Sequence, residues 1–296
     1  MKKARPMVDI WKYSNGEIQK INLPVDAKTL DQSSLYLPDG VYTTLRTYSR
    51  HYVFQFEDHV DRLVKSAQIS GFEIKVSTED IRRLLRIAIN NLPTYHETRL
   101  RITIPKTEPN AIYLSATQFT PPLQQDYLLG VHAGTIQLSR SDPLSKKTEF
   151  IKLSQAARNQ LGNEIHELIM VNGEGYLLEG LSSNFYGVKE KSIFTAGKDV
   201  LPGITQRIIF KEAARLKIPL HQFPIHISEI STLSEAFITS SGRAVLPVVS
   251  IDNIIIGNGK PGNITNILLS SYQKRVSTDL IDLFAPSLGG KNIVVS

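Results

Sequence analysis

The chain of 296 residues contains no cysteine. That excludes disulfides, thiolate-held metals, iron–sulfur clusters and a cysteine nucleophile, and it fits a reducing compartment. No uninterrupted apolar run approaches the roughly 20 residues of a membrane helix. The opening MKKARPMVDIWKYSNGE carries a basic patch, but the polar SNGE follows at once and no apolar segment supports a signal peptide. A cytoplasmic protein with no membrane partner is expected, in which the sequon Asn263-Ile264-Thr265 carries no meaning. Charge of one sign is also scarce: 34 Lys and Arg against 28 Asp and Glu leave a formal net charge of +6. This mild excess is no nucleic-acid signature unless it is clustered. No G-x-x-x-x-G-K-[ST], no H-E-x-x-H and no G-x-S-x-G occurs, and the seven histidines form no pair on a helix face. His221 and His226 share a short apolar stretch, where ordinary roles outweigh metal binding, so no metal is expected.

What is present describes a globular protein. Hydrophobic residues make up 41% and charged residues 21% of the chain, enough for a sizeable core and wrong for disorder or a coiled coil. The length allows one large domain or two ordinary ones. VYTTLRTYS and HYVFQF read as paired strands. Val60, Leu63, Val64 and Ala67 then recur at helical spacing after a candidate N-cap at Asp58, with Gly71 as the stop. TEDIRRLLRIAINNLP predicts a second helix, and RLRITIP and AIYLSATQF two more strands. The Pro-Pro break in TPPLQQD, residues 120–126, divides the chain into expected α+β domains at 1–122 and 127–296. Beyond it, YLLGVHAGTIQLS predicts strand and EFIKLSQAARNQLG helix. HELIMVN and GYLLEG pair around Asn172-Gly173, and ITQRIIFKEAARLKI forms a helix after Pro202-Gly203. A last helix starts near Asn263, and neither repeats nor low-complexity stretches occur.

Two small motifs read as incidental. Gly257-Asn258-Gly259-Lys260-Pro261-Gly262 fits G-x-G-x-x-G, but no complete βαβ unit fits after it and Pro261 removes a backbone N–H from any phosphate cradle, so it reads as a turn. Ser271-Tyr272-Gln273-Lys274 fits S-x-x-K without supporting motifs.

Three other features have ordinary readings when taken singly. Glu179 ends an apolar strand before small residues turn the chain, as an exposed strand-end acid would. Leu201 to Thr205 opens a strong helix, which its own Thr can cap. Lys146 and Lys147 precede another helix, as solvated lysines often do. Together, an amine, an acid and a helix start with free N–H groups are what pyridoxal phosphate needs. The amine forms a Schiff base, the acid keeps a proton on the pyridine nitrogen, and the helix start binds phosphate.

With these residues the chain resembles the class IV aminotransferases, the fold type IV pyridoxal-phosphate enzymes, which include branched-chain and D-amino acid aminotransferases and aminodeoxychorismate lyase. The likeness runs from Asp39-Gly40-Val41-Tyr42 to Gly259–Thr265. It rests on His59-Val60-Asp61-Arg62-Leu63, the Glu179–Phe185 stretch, Leu201–Thr205 and Phe237-Ile238-Thr239-Ser240-Ser241-Gly242, in order and at family spacing. It implies an α+β two-domain fold of the D-amino acid aminotransferase kind, with the cofactor site at the domain interface. It implies that Arg62 binds the cofactor phosphate, for which its fork is apt. The Ile204 and Thr205 amides and the Thr205 hydroxyl would share that phosphate, Glu179 would meet the ring nitrogen, and Ser241 and Gly242 match a Thr-Ala pair that contacts phosphate and substrate. The Schiff-base lysine is Lys146 or Lys147. The pattern Lys-x-Thr-x-Phe favours Lys146, while Lys152 lies too close to Glu179. Relatives often carry a Tyr shortly after this lysine, where Phe150 stands here. Tyr42 matches a pocket-lining aromatic. Strand alternation points Arg99 and Arg101 to one face, in a region that reaches the substrate side, so one of them is a candidate carboxylate receptor alongside a solvated-face reading. Transamination between an amino acid or amine and a 2-keto acid is the implied reaction, and a homodimer the implied assembly. The alternatives are a lyase on the same cofactor and, more distantly, a non-catalytic anion-binding protein.

Overall fold

The computed structural model describes residues 8–23, 27–92, 97–159 and 164–286. Two compact units emerge: Met1–Thr120 with Ser145–Leu153 and Asp279–Ser296, and Pro121–Leu144 with Ser154–Thr278.

The first unit is an antiparallel sheet backed by helices. Strands β1 (Asp9–Ser14) and β2 (Glu17–Ile21) form a hairpin. Its Asn15-Gly16 turn has both residues at positive φ, 52° and 84°, the type I′ geometry that suits strand twist. The chain continues through α1 (Leu30–Ser34), β3 (Gly40–Tyr48), β4 (Tyr52–Phe54), α2 (Phe56–Ile69), α3 (Thr78–Asn91), β5 (Thr98–Pro105) and β6 (Ala111–Gln118). The strands run β4-β3-β5-β6-β1-β2 across the sheet. Phe56, Val60, Leu63 and Ala67 of α2 and Ile81, Leu84 and Leu85 of α3 are buried and share one core with Val41, Leu45, Leu100 and Ile102. Each such Val, Leu, Ile or Phe side chain contributes about 1.5–3 kcal/mol on burial, and a slip of one residue in β3 would turn Val41 and Leu45 away from the helices. Helix α2 begins before the expected Asp58, because Gln55 takes a left-handed turn (φ 54°) that starts it at Phe56. Helix α3 starts in a capping box, with Ser77 Oγ accepting from the Asp80 amide at 3.1 Å and Asp80 accepting from the Ser77 amide at 2.9 Å.

The second unit opens with a helix where strand was expected. α4 (Gln124–Leu129) forms because Asp126 accepts from the Leu123 amide at 2.8 Å, and Gly130 at φ 80° ends it before β7 (Val131–Gln137). The elements that follow are α5 (Glu149–Arg158), β8 (Ile165–Val171), β9 (Tyr176–Gly180), β10 (Asn184–Lys189), β11 (Ser192–Phe194), α6 (Ile204–Arg215), β12 (Leu220–His221) and β13 (Ile225–His226). A 3-10 turn, β14 (Glu235–Ser240), β15 (Ala244–Ile251), β16 (Ile254–Ile255) and α7 (Asn263–Thr278) complete the unit. The sheet order is β12-β11-β10-β14-β15-β7-β8-β9-β13. β9 also pairs with β10 at Glu179 and Asn184, which closes the ladder on itself. β7 and β8 are parallel, and parallel neighbours need a long crossover.

That crossover explains why a single cut into 1–122 and 127–296 does not describe the chain. The units do part at Thr120 and Pro121, but part of the crossover is tied to the first unit. Tyr42 N donates to Lys146 O and Thr148 N to Gly40 O, both at 2.9 Å. After α7, β17 (Leu280–Asp282) adds to the free edge of β4. Both attachments are long-range backbone pairings, which leave no local trace in sequence.

The G-x-G-x-x-G stretch is a turn. Gly257 and Gly259 take φ of 56° and 74°, and the first amides of α7 are already served by a carboxylate: Glu235 accepts from Ile264 N at 3.0 Å and from Thr265 N at 2.8 Å. A Cβ on Gly262 would lie 2.0 Å from that carboxyl carbon. Glu235→Ala is expected to cost about 1–2 kcal/mol, the value of a helix cap assisted by the helix dipole. The melting temperature should then fall by a few degrees, and an unchanged melt would show the cap to be idle. Among the described residues no helix is long and apolar enough to cross a membrane, and no cluster of His, Asp and Glu could hold a metal ion.

Candidate active site

In the first unit Arg62 belongs to a buried polar cluster. His59 and Arg62 stand three apart on α2 and so share a face. Arg62 Nη2 donates to Thr43 Oγ1 at 2.6 Å, and His59 Nδ1 lies 2.8 Å from the same hydroxyl. Thr43 and His59 are fully buried. Thr43 lies on the helix side of β3 with Val41 and Leu45, so the guanidinium is anchored from that side.

The two lysines differ in side. Lys147 pairs with Val41 in an isolated antiparallel bridge. Residues opposed in such a bridge project the same way, so Lys147 leaves the backbone on the side of Val41 and Thr43. Lys146 leaves on the other side, with its Nζ 4.8 Å from the centre of the Tyr42 ring. Both are fixed from behind: Lys146 N donates to Ser66 Oγ at 3.1 Å, and Thr148 Oγ1 accepts from Gly40 N at 2.9 Å.

Arg99 and Arg101 share a face of β5, as alternation predicts, but their surroundings differ: Arg99 is exposed and Arg101 buried. Arg101 Nη2 bonds Asp31 Oδ1 at 2.5 Å, and its Nη1 donates to Leu30 O at 2.8 Å and Ser34 Oγ at 2.7 Å. Its guanidinium also lies 4.8 Å from the Tyr42 ring centre. The carboxylate that Arg101 receives is thus the protein's own, and its work is to hold α1 on the sheet.

In the second unit Glu179 is buried at the end of β9. Arg140, in the crossover after β7, donates from Nε to Glu179 Oε1 at 2.6 Å, with both side chains buried. Asn184 Nδ2 lies 3.4 Å from Glu179 Oε2 and donates to Leu201 O at 2.9 Å. A charge buried this deeply persists only when paired and hydrogen-bonded, and Arg140 supplies the pairing. Beside it Tyr186 is fully buried and stacks on Phe237 with ring centres 4.5 Å apart. Burial, with the nearby negative charge of Glu179, pushes its phenol well above the ordinary tyrosine range, so it stays neutral. Sequence reasoning missed Arg140, which stands in a loop without a motif, and gave no role to Asn184.

The first turn of α6 is where the phosphate seat was expected. Ile204 and Thr205 are buried, and first-turn amides have no partner within their own helix. Gly203, just before it, is packed so closely that a Cβ would meet Asn184 Oδ1 at 2.0 Å. Asn184 therefore links the acid to the segment that leads into α6. Ser241 and Gly242 lie in the tight turn between β14 and β15, and β10 pairs Asn184 with Thr239 two residues before it. Both turns are at the same end of the sheet.

Known proteins resemble this chain over most of its length. The family model for class IV amino-transferases matches residues 40–251. A Methanocaldococcus jannaschii protein named as a branched-chain-amino-acid aminotransferase is 26% identical over 272 residues, covering 84% of this chain and 91% of that protein. A D-alanine aminotransferase of Staphylococcus aureus is 26% identical over 295 residues, covering 91% of this chain and 99% of that one. The crystal structure of the branched-chain aminotransferase of Thermoproteus uzoniensis with norvaline has the same fold. Its TM-score is 0.74 at 24% identity, over 93% of this chain and 99% of that one.

Proposed function

Because the chain belongs to the class IV aminotransferase family, whose enzymes work with pyridoxal 5'-phosphate, we propose that it moves an amino group between an amino acid or amine and a 2-keto acid through a lysine Schiff base. The observation that carries the reading is Glu179, a buried carboxylate held by Arg140 and backed by Asn184. Glycine-like packing at Gly203 and a buried helix start accompany it.

The donor set suits the cofactor. By the family resemblance, Arg62 in the first unit and the Ile204 and Thr205 amides and the Thr205 and Ser241 hydroxyls in the second would receive its phosphate, with Gly242 beside Ser241. Glu179 would meet the ring nitrogen. When bound, the cofactor supplies an electron sink for the substrate Cα. Arg140 holds Glu179 in place at 2.6 Å, from where its carboxylate would hold a proton on that nitrogen. The active lysine, as a neutral amine, takes the proton from the donor Cα and later returns one to the acceptor Cα. The register favours Lys147 for this work, because it stands on the Thr43 and Arg62 side of β3. Arg101 is left to structure by its pairing with Asp31, and Tyr42 lines the Lys146 side.

The test is a half-reaction. Protein loaded with the cofactor is mixed with L-leucine or D-alanine alone, then with a 2-keto acid. The bound cofactor's near-visible absorbance should change with the donor and return with the acceptor, releasing one keto acid per amino group moved. The two kinds of relative, branched-chain and D-alanine enzymes, make both hands of donor necessary. Pyruvate released in excess of one per bound cofactor, with no acceptor, from an amino acid that carries a leaving group would move the reading to a lyase. A chain that takes up no cofactor, yet binds nucleic acid in a salt-sensitive way, would overturn it. A homodimer is part of the same reading, and sedimentation checks it.

A further inference from the structure

Glu167, on β8, is a carboxylate for which the proposed chemistry has no use. It is 1% exposed, yet it is surrounded by donors. Its Oε2 accepts from Arg243 Nη1 at 2.6 Å, Ser182 Oγ at 2.8 Å and Ser183 Oγ at 3.0 Å, while its Oε1 lies 3.2 Å from the Leu168 amide. A Cβ on Gly180 would come within 2.8 Å of Glu167 Cγ, so the glycine after Glu179 lets the backbone close around this carboxyl.

These donors come from two different turns. Ser182 and Ser183 stand between Glu179 and Asn184, in the turn joining β9 to β10. Arg243 ends the turn that carries Ser241 and Gly242. The next residue, Ala244, sits at φ 53°, a left-handed conformation that is strained for a residue with a Cβ and survives only where surrounding contacts impose it. Burial alone would raise a carboxylate's pKa. Here the Arg243 and Arg158 charges and the bonds from Arg243 and Ser182 overcome it, so Glu167 is held ionised.

We infer that Glu167 is a positioning residue: one buried carboxylate that fixes the turn behind Glu179 and the Ser241-Gly242 turn relative to each other, so that both face one cofactor. The inference rests on the proposed cofactor reading. It does not concern overall folding, because Glu167 ties turn hydroxyls and a partly exposed arginine rather than core side chains.

The experiment titrates cofactor-free protein with pyridoxal 5'-phosphate. Wild type, Glu167→Gln and Arg243→Gln are compared by near-visible absorbance, with far-UV circular dichroism and a melt of each protein before cofactor is added. Glutamine keeps the volume of Glu167 but offers one neutral oxygen where three donors converge. Both variants should bind the cofactor at least tenfold more weakly while retaining wild-type secondary structure and a cooperative melt. The pH at which the bound cofactor's spectrum titrates should also shift, a change that a loss of stability alone does not produce. Arg243→Gln, at a partly exposed position, keeps the test available if Glu167→Gln fails to fold. Wild-type affinity and an unshifted titration in a folded variant would overturn the inference while leaving the function intact. A wild-type protein that binds no cofactor would overturn both.

Discussion

Glu179→Gln is expected to lower turnover about 100- to 1,000-fold while the protein stays folded, the range seen when one preorganised electrostatic group is removed from an active site. Glutamine fills the same volume and still offers Arg140 an oxygen, but it cannot hold a proton on a ring nitrogen by charge. The choice of glutamine matters. Arg140 Nε lies 2.6 Å from Glu179, and both side chains are buried. Alanine would remove the carboxylate that Arg140 bonds in the interior, and breaking a buried ion pair from one side costs about 3–5 kcal/mol. A dead Glu179→Ala protein could then be merely an unstable one. The check is steady-state kinetics beside a melt of the same preparation. The proposed role predicts a fall in kcat with cofactor still bound and its near-visible spectrum altered. Near-normal turnover in a folded, loaded Glu179→Gln protein would sink the assignment of Glu179 to the ring nitrogen. Arg140→Gln supplies the complementary measurement. It removes the guanidinium that bonds Glu179 at 2.6 Å, so the carboxylate loses its orientation and turnover should fall with the protein still folded.

How far the sequence reveals this arrangement depends on the range of each contact. Helices α2, α3 and α6 were legible because their buried faces repeat at 3.6 residues, as in Ile81, Leu84, Leu85 and Ala88. Glu179, the α6 start and Ser241 were legible only together, through the order of short motifs. Three things were not. Helix α4 hides in a Pro-Pro segment, since its start depends on Asp126 reaching back to the Leu123 amide. The β1–β2 hairpin rests on a local Asn-Gly signal at Asn15-Gly16, but the flanking β2 is polar and largely exposed, so no clean alternation accompanies it. Arg140 carried no signal, because a single arginine in an irregular crossover acquires its meaning only from the strand pairing that brings β7 beside β8 and β9. The same limit applies to Arg101: alternation gives its face, but only the packing of α1 shows that Asp31 already holds its charge.

The second large effect concerns the lysines, where sequence pattern and backbone register point to different residues. Lys147→Ala is expected to abolish the borohydride-trapped adduct and to lower turnover by about 10³-fold or more, since one amine both forms the covalent link and moves the proton. Lys146→Ala should keep the adduct and most of the turnover. The argument is geometric. The Val41–Lys147 bridge places Lys147 on the side of β3 where Thr43 accepts from Arg62. A lysine that shares a cofactor with Arg62, the proposed phosphate ligand, leaves the backbone on that side. Lys146 leaves on the other, over Tyr42. Neither substitution disturbs the backbone bonds that fix the segment, from Tyr42 N to Lys146 O and from Thr148 N to Gly40 O, so both variants should fold. Peptide mapping of the reduced wild-type protein decides between them. An adduct on Lys147 supports the register and assigns Arg62 to the phosphate. An adduct on Lys146, with turnover surviving in Lys147→Ala, would place the reacting groups on the Tyr42 side and remove Arg62 from the proposed phosphate site.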